Sequence, residues 1–213
     1  MSRETLARID IDALRHNLGV VRRLAPDSRV VAVVKADAYG HGVSQVLPGL
    51  EDADVLAVAT VEELRAVRNA GWPGRLLLLE GFAGTEEFDV AARCGAETVI
   101  HHETQLALLE ERGSLPGPRC WLKVDTGMHR LGFPPNELED VVDRLRRLDG
   151  GRAPILMSHF ASADQADSTM TERQMQRFEA AVGVLDAPVS LANSCLLYTS
   201  PSPRDISAYL VCR

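Results

Sequence analysis

The 213-residue chain lacks the marks of several large protein classes. It has four cysteines, Cys94, Cys120, Cys195 and Cys212, with no CxxC pair among them, too sparse for a disulfide scaffold at this length. No His/Cys cluster has zinc spacing, so no metal site is expected. The adjacent pair His101-His102 would point to opposite faces of a strand, which favours a structural or solvated role. Trp72 and Trp121 have no aromatic partners that would form a cage, and only 5% of the chain is aromatic. No apolar run approaches the roughly 20 residues needed to cross a bilayer. The opening MSRETLARIDIDAL shows no basic, apolar, small-residue signal pattern. Basic residues are outnumbered, 23 against 30, giving a net charge of −7 and a pI near 5.4. Such a balance argues against a phosphate-backbone binder. The expectation is a soluble cytoplasmic protein with no nucleic-acid or membrane partner.

Core material is plentiful, with 46% hydrophobic and 25% charged residues. The length suits one domain, or one and a fragment. Seven short apolar runs recur: VVAVVK (30–35), DVLAVA (54–59), RLLLLE (75–80), AETVIH (96–101), CWLKVD (120–125), APILMSHF (153–160) and APVSLANS (187–194). They do not alternate, as expected of strands buried on both faces. Helical patterns lie between them. Residues 12–24 are amphipathic and stop before Pro26. Thr60 with Glu63 forms a capping box for a helix ending at Gly71. Asn136 with Glu139 opens a helix that closes at Gly150-Gly151, and Thr171 with Gln174 opens another.

Repeated strand–helix–strand units imply a parallel sheet, either open and doubly wound or closed as a (β/α)8 barrel. No GxGxxG follows the first run, so the dinucleotide fold lacks its signature. Lys35, Lys123, Asp125, His159, Asn193 and Ser194 all sit where an apolar run ends. A barrel gathers its chemistry at that rim. The fold class expected is α/β, a (β/α)8 TIM-type barrel, incomplete at about seven βα units.

Residues 195–213, CLLYTSPSPRDISAYLVCR, stand apart. They hold two of the three tyrosines and two of the four cysteines, without helical or alternating period. CLLYTSPSPRD is one translation of a string resembling a transposase-type sequencing adapter, and LVCR resembles the adapter's far end. The domain division expected is a partial barrel over 1–194 and a non-native tail over 195–213.

Lys35 ends a buried strand, where an ammonium is costly. Such a lysine loses its proton readily and is a candidate Schiff-base former. A lysine snorkelling to the sheet rim fits the position equally well. Tyr39 lies within reach of the same rim, and Gly40 and Gly42 permit close backbone approach. Asp37 and His41 read as turn or helix-start residues. Lys123 and Asp125 flank Val124 on one face and could form a plain ion pair. His159 taken alone reads as a satisfied core histidine, and Met157, Met170 and Met175 as packing.

VVAVVKADAYGHG (30–42) resembles the pyridoxal 5'-phosphate (PLP) lysine motif of bacterial alanine racemases. RIDIDALRHNL (8–18), LKVDTGMHRLGF (122–133), SHFASADQAD (158–167) and LANS (191–194) are similar to segments of that family, in its order. The resemblance spans residues 6–194. It implies a barrel followed by a β domain, with the eighth strand and the C-terminal β domain absent here. It also implies site roles. Lys35 holds PLP covalently and serves as the catalytic base on one face of the substrate. Tyr39 binds the phosphate, and Asn193 and Ser194 lie at its strand-end side. Arg130 reaches the phenolic oxygen of the cofactor and the amino-acid substrate. Lys123 matches a lysine that some members carry as a carbamate. His159 lies under the pyridine ring. In the family the site is shared across a homodimer, whose partner supplies a tyrosine for the opposite face. The chain as given is therefore expected to be inactive, although its gene encodes a racemase making D-alanine for peptidoglycan. A non-catalytic PLP carrier, a PLP-dependent amino-acid decarboxylase and a phosphate-binding barrel without a covalent cofactor are the alternatives.

Overall fold

A computed structural model describes residues 6–165, 169–183, 185–199 and 209–212, with 198–199 and 209–212 as backbone only. The seven apolar runs each contain a strand: β1 (Arg29–Val33), β2 (Val55–Val58), β3 (Arg75–Leu78), β4 (Glu97–Ile100), β5 (Cys120–Lys123), β6 (Ile155–Met157) and β7 (Val189–Ser190). Neighbours in sequence are neighbours in the sheet, and every ladder is parallel. Helix α1 (Ile11–Leu24) precedes β1, and the others lie between strands: α2 (Lys35–Tyr39), α3 (Val43–Val46), α4 (Val61–Asn69), α5 (Thr85–Arg93), α6 (Glu103–Arg112), α7 (Leu138–Leu148) and α8 (Thr169–Val182). This is the incomplete barrel expected from the sequence. None of its described helices is long and apolar enough to cross a membrane.

Two apolar layers explain why the strands do not alternate. Val31, Val33, Val55, Ala57, Leu77, Val99, Trp121, Ile155 and Met157 pack together on the barrel axis. Leu56, Leu76, Leu78, Ile100, Leu122 and Leu156 face outward and are covered by helix residues such as Leu64, Leu106 and Leu145. Removing each such side chain from water contributes about 1.5–3 kcal/mol. Burial pushes the Cys120 thiol up to about 12, so it acts as an inert core group.

Part of the segment 195–213 joins the sheet. A short turn, α9 (Leu196–Thr199), follows β7, and Tyr209–Cys212 forms β8. That strand pairs in parallel with β1, with Arg29 opposite Tyr209 and Ala32 opposite Cys212. β2 covers only one edge of β1, and the free N–H and C=O groups of the other edge accept an extended segment within reach. Among the described residues no ladder joins β7 to β8.

Two helix starts also differ from the sequence reading. Asn136 lies in a 3-10 turn, Pro135–Glu137, and α7 begins at Leu138 without a side-chain cap. Pro135 sets that tighter turn and displaces the start. Thr171 and Gln174 lie inside α8 rather than at its opening, and Gln174 is drawn to partners across the barrel rim. By contrast, the Thr60–Glu63 capping box is present on α4.

The lower end of the barrel carries a buried charge. Glu97 opens β4, is 2% exposed, and accepts from Arg75 Nε at 2.6 Å and Nη2 at 2.9 Å. It also accepts from Trp121 Nε1 at 2.7 Å. Removing one partner of a buried pair strands the others. Arg75 keeps 33% of its side chain exposed, which moderates the cost. Glu97→Ala should lower unfolding free energy by about 3 kcal/mol in urea titration. A loss below about 1 kcal/mol would show that solvent already satisfies Arg75.

Candidate active site

Lys35 leaves the tip of β1 on an unusual backbone. Ala36, Asp37, Ala38 and Tyr39 have φ between 51 and 55°, so the turn labelled α2 is left-handed. Each such residue costs about 1–2 kcal/mol when it carries a Cβ. The turn is held by its surroundings. Ala38 N–H donates to Val34 O at 2.9 Å, and Gly40 and Gly42 N–H donate to Ala36 O and Asp37 O, both at 2.9 Å. The Asp37 carboxylate accepts from Val43 N–H at 2.7 Å, starting α3, which is the turn role read from the sequence. Glu63, at the start of α4, accepts from Ala36 N–H at 2.7 Å. Lys35 is half-buried, and Tyr39 lies 40% exposed at the far end of the turn.

Lys123 is the last residue of β5. Trp121, two residues before, lies on the barrel axis, so strand alternation points Lys123 inward at the mouth. Burial lowers its pKa from 10.5 to about 8; Arg130 and Lys35 push the same way, and Asp125 opposes them. Arg130 and Lys35 are thus each close enough to Lys123 for their charges to act on it. The simple Lys123–Asp125 ion pair does not form. Asp125 instead accepts from the Gly127 and His129 N–H groups, both at 3.0 Å, and its other oxygen meets His129 Nδ1 at 3.0 Å. Partial burial works to raise its carboxyl, but these donors hold it below the usual range.

The segment after β5 folds back onto the strand. Phe133 N–H donates to Lys123 O and Asp125 N–H to Phe133 O, each at 2.9 Å. Gly132 permits this return: its φ is 125°, and a Cβ there would sit 2.8 Å from Asp125 N. The fold-back brings Arg130, exposed on its loop, to the mouth beside Lys123.

His159 follows β6 and is half-buried. A buried polar network runs beneath it. Ser158 Oγ donates to Val124 O at 2.8 Å and meets Thr126 Oγ1 at 2.9 Å. Gln174, fully buried, donates to Thr126 Oγ1 at 3.1 Å and His159 O at 3.0 Å, and accepts from Ala161 N–H at 2.9 Å. Asn193 and Ser194 follow β7 at the same end, where Asn193 Oδ1 accepts from Cys195 N–H at 3.1 Å. Met157 packs in the inner layer and Met175 against the outer one, as expected. His102 caps α6 through Thr104 N–H, and His101 meets Glu80 O at 2.9 Å. A cavity of about 310 Å³ opens over β2–β4 beside His101; neither it nor the groove of about 450 Å³ between α1 and β1 is lined by Lys35, Lys123 or Arg130.

Residues 9–206 match the family described as alanine racemase, N-terminal domain. The chain belongs to that family. It is 44% identical over 206 residues to the alanine racemase of Thioalkalivibrio sulfidiphilus, covering 95% of this chain and 57% of that protein. With the Nitrosococcus oceani alanine racemase it shares 46% over 199 residues, 92% of this chain and 55% of the relative. The chain therefore spans little more than half the length of these curated relatives. Among solved structures, the biosynthetic alanine racemase of Pseudomonas aeruginosa superposes with a TM-score of 0.87 at 39% identity, over 96% of this chain and 57% of that one. An alanine racemase of Bartonella henselae, solved with covalently bound pyridoxal phosphate, has a TM-score of 0.82 at 22% identity, over 96% of this chain and 58% of that one; it shares the fold.

Within the alanine racemase barrel, two polar side chains tie the rim segments together, Glu63 at Ala36 and Gln174 at Thr126 and His159. Glu63 was legible only as a helix cap, and Gln174 only as a helix start. The charge of Lys123 generates a pH dependence. Its depressed pKa means that the native chain binds fewer protons than the unfolded chain between about 8 and 10.5. Stability therefore rises with pH across that window, while at pH 7 the full penalty of a buried charge is present. In carbon-dioxide-free buffer without cofactor, Lys123→Met should raise the urea midpoint at pH 7. The gain should shrink steadily above pH 8; a gain independent of pH would assign it to packing alone.

Proposed function

We propose that this chain is the cofactor-binding barrel of an enzyme that interconverts L- and D-alanine with pyridoxal 5'-phosphate. The observation carrying this reading is the placement of Lys35 and Lys123 at the same end of the sheet, after β1 and at the end of β5, with Arg130 on the segment that folds back onto Lys123. PLP is anionic at its phosphate and has an aldehyde that a neutral amine attacks. A rim with three cationic side chains, a tyrosine and the strand end at Asn193 and Ser194 fits both parts. When bound, PLP supplies an electron sink once a Cα–H bond breaks.

The chain's own groups divide the remaining work. Lys35 Nζ would hold the cofactor covalently and, as a neutral amine, would take or return the proton at the substrate Cα on one face. Tyr39, with Asn193 and Ser194, holds the phosphate. Arg130 presents a fixed fork to the phenolic oxygen and to the substrate carboxylate, which a lysine could not replace. Lys123, with its pKa near 8, has an appreciable neutral fraction. Its Nζ can attack carbon dioxide, forming a C–N bond and releasing a proton to solvent. The anion so formed pairs with Arg130 and removes a repulsion. His159 supports the ring side of the pocket. The opposite face needs a second proton-handling group from the partner of a homodimer. The activity belongs in the cytoplasm, supplying D-alanine for cell-wall precursors; the three cysteines with described side chains, Cys94, Cys120 and Cys195, are free. Residues 195–213 we read as a tail foreign to the 1–194 barrel.

Borohydride reduction of the chain with PLP, followed by peptide mapping, should place the label on Lys35. Lys35→Ala should abolish it; a label elsewhere, or none, overturns the proposal and favours a phosphate-binding barrel. Without the partner's group the chain alone should not racemise alanine; release of carbon dioxide from an amino acid in the presence of PLP would instead identify the decarboxylase.

A further inference from the structure

Glu63 does more than cap α4. One carboxylate oxygen accepts from Ala36 N–H at 2.7 Å, 27 residues away in sequence. The other accepts from Ala59 N–H at 2.7 Å and Thr60 N–H at 3.3 Å. Ala36 is the residue directly after Lys35 and the first of the four left-handed residues. The far end of that turn is closed by Asp37 and the glycine amides. At the near end, the amide that follows Lys35 is taken by Glu63. Three N–H donors on two chain segments converge on one side chain, and only a carboxylate offers acceptors in both directions without a donor of its own. Glutamine would turn an NH2 toward one segment, and aspartate is a methylene too short.

We propose that Glu63 is a positioning residue for Lys35. By tying the tip of β1 to the start of α4, it fixes the strained backbone at Ala36 and aims the lysine at the barrel axis. The inference rests on reading Lys35 as the PLP-linked amine.

The test compares the 213-residue chain with Glu63→Gln, Glu63→Ala and Thr60→Ala. Thr60→Ala removes the cap hydroxyl on Glu63 N–H and leaves the carboxylate bridge, so it reports a merely weakened helix start. Without cofactor, amide hydrogen exchange over residues 34–43 should quicken about tenfold or more in both Glu63 variants. It should stay near the parental rate in Thr60→Ala. With saturating PLP, the rate of covalent linkage to Lys35, followed by the visible absorbance and borohydride trapping, should fall about tenfold in Glu63→Gln and further in Glu63→Ala. Affinity for pyridoxine 5'-phosphate, which has no aldehyde, should change far less, because Tyr39 and the strand-end amides remain. Equal losses of linkage rate and analogue affinity would mark Glu63 as structural only and overturn the inference. Unchanged exchange and linkage in Glu63→Gln, with Lys35 labelled in the parent, would overturn it while leaving the proposed function standing. A parent that never labels Lys35 overturns the function and this inference with it.

Discussion

A parallel sheet buried on both faces has room for charge only at its two ends. The inner layer of valines, leucines and Trp121 fills the axis, and the outer layer seats the helices. The two ends solve the problem differently. At the lower end Glu97 meets the Arg75 fork and the Trp121 indole, and the charge is matched within one network. At the upper end Lys35, Lys123 and Arg130 crowd together while Asp125 is committed to His129 and the loop amides. Among the described residues Lys123 is left without a paired carboxylate, and burial, with Arg130 and Lys35 adding to it, lowers its pKa. Such an unpaired amine is tolerated where an anion is to be bound.

The strain at this site is local and stored next to the key amine. Four non-glycine residues in the left-handed region cost several kcal/mol together. A strand continuing straight from Val33 would avoid that cost but would carry Lys35 on along the strand direction. The left-handed turn reverses the chain within a few residues and stays inside the rim. Backbone bonds within the turn, the Asp37 cap on α3 and the Glu63 bridge offset the strain. The second wall is built likewise by a fold-back, in which Gly132 lets Phe133 pair with Val124 and so returns Arg130 to the mouth.

The elements were legible because each is dictated by its neighbours in sequence. Seven apolar runs gave seven strands, since burial on both faces leaves few polar positions within a strand, as at Glu97 and Thr98 of β4. The Thr60–Glu63 box was legible because a cap acts over three residues. Asn136 misled, as its capping chemistry is real but Pro135 imposes a 3-10 turn first. Lys35 and Lys123 stood out because a charge directly after an apolar run must sit at a rim. Gln174 did not: its partners Thr126 and His159 lie 48 and 15 residues away, and nothing near it in sequence distinguishes a buried glutamine from a solvated one.

By itself, then, the sequence determined the strands, their parallel order and which amines lie at the C-terminal rim, because periodicity and burial act through adjacent residues. Only the tertiary structure decided the left-handed course after Lys35, the bridge from Glu63, the pairing of β8 with the edge of β1 and the action of Arg130 and Lys35 on Lys123. Those depend on groups from separate strands meeting at one end of the sheet, and Coulomb interaction and hydrogen bonding act across space without regard to distance along the chain.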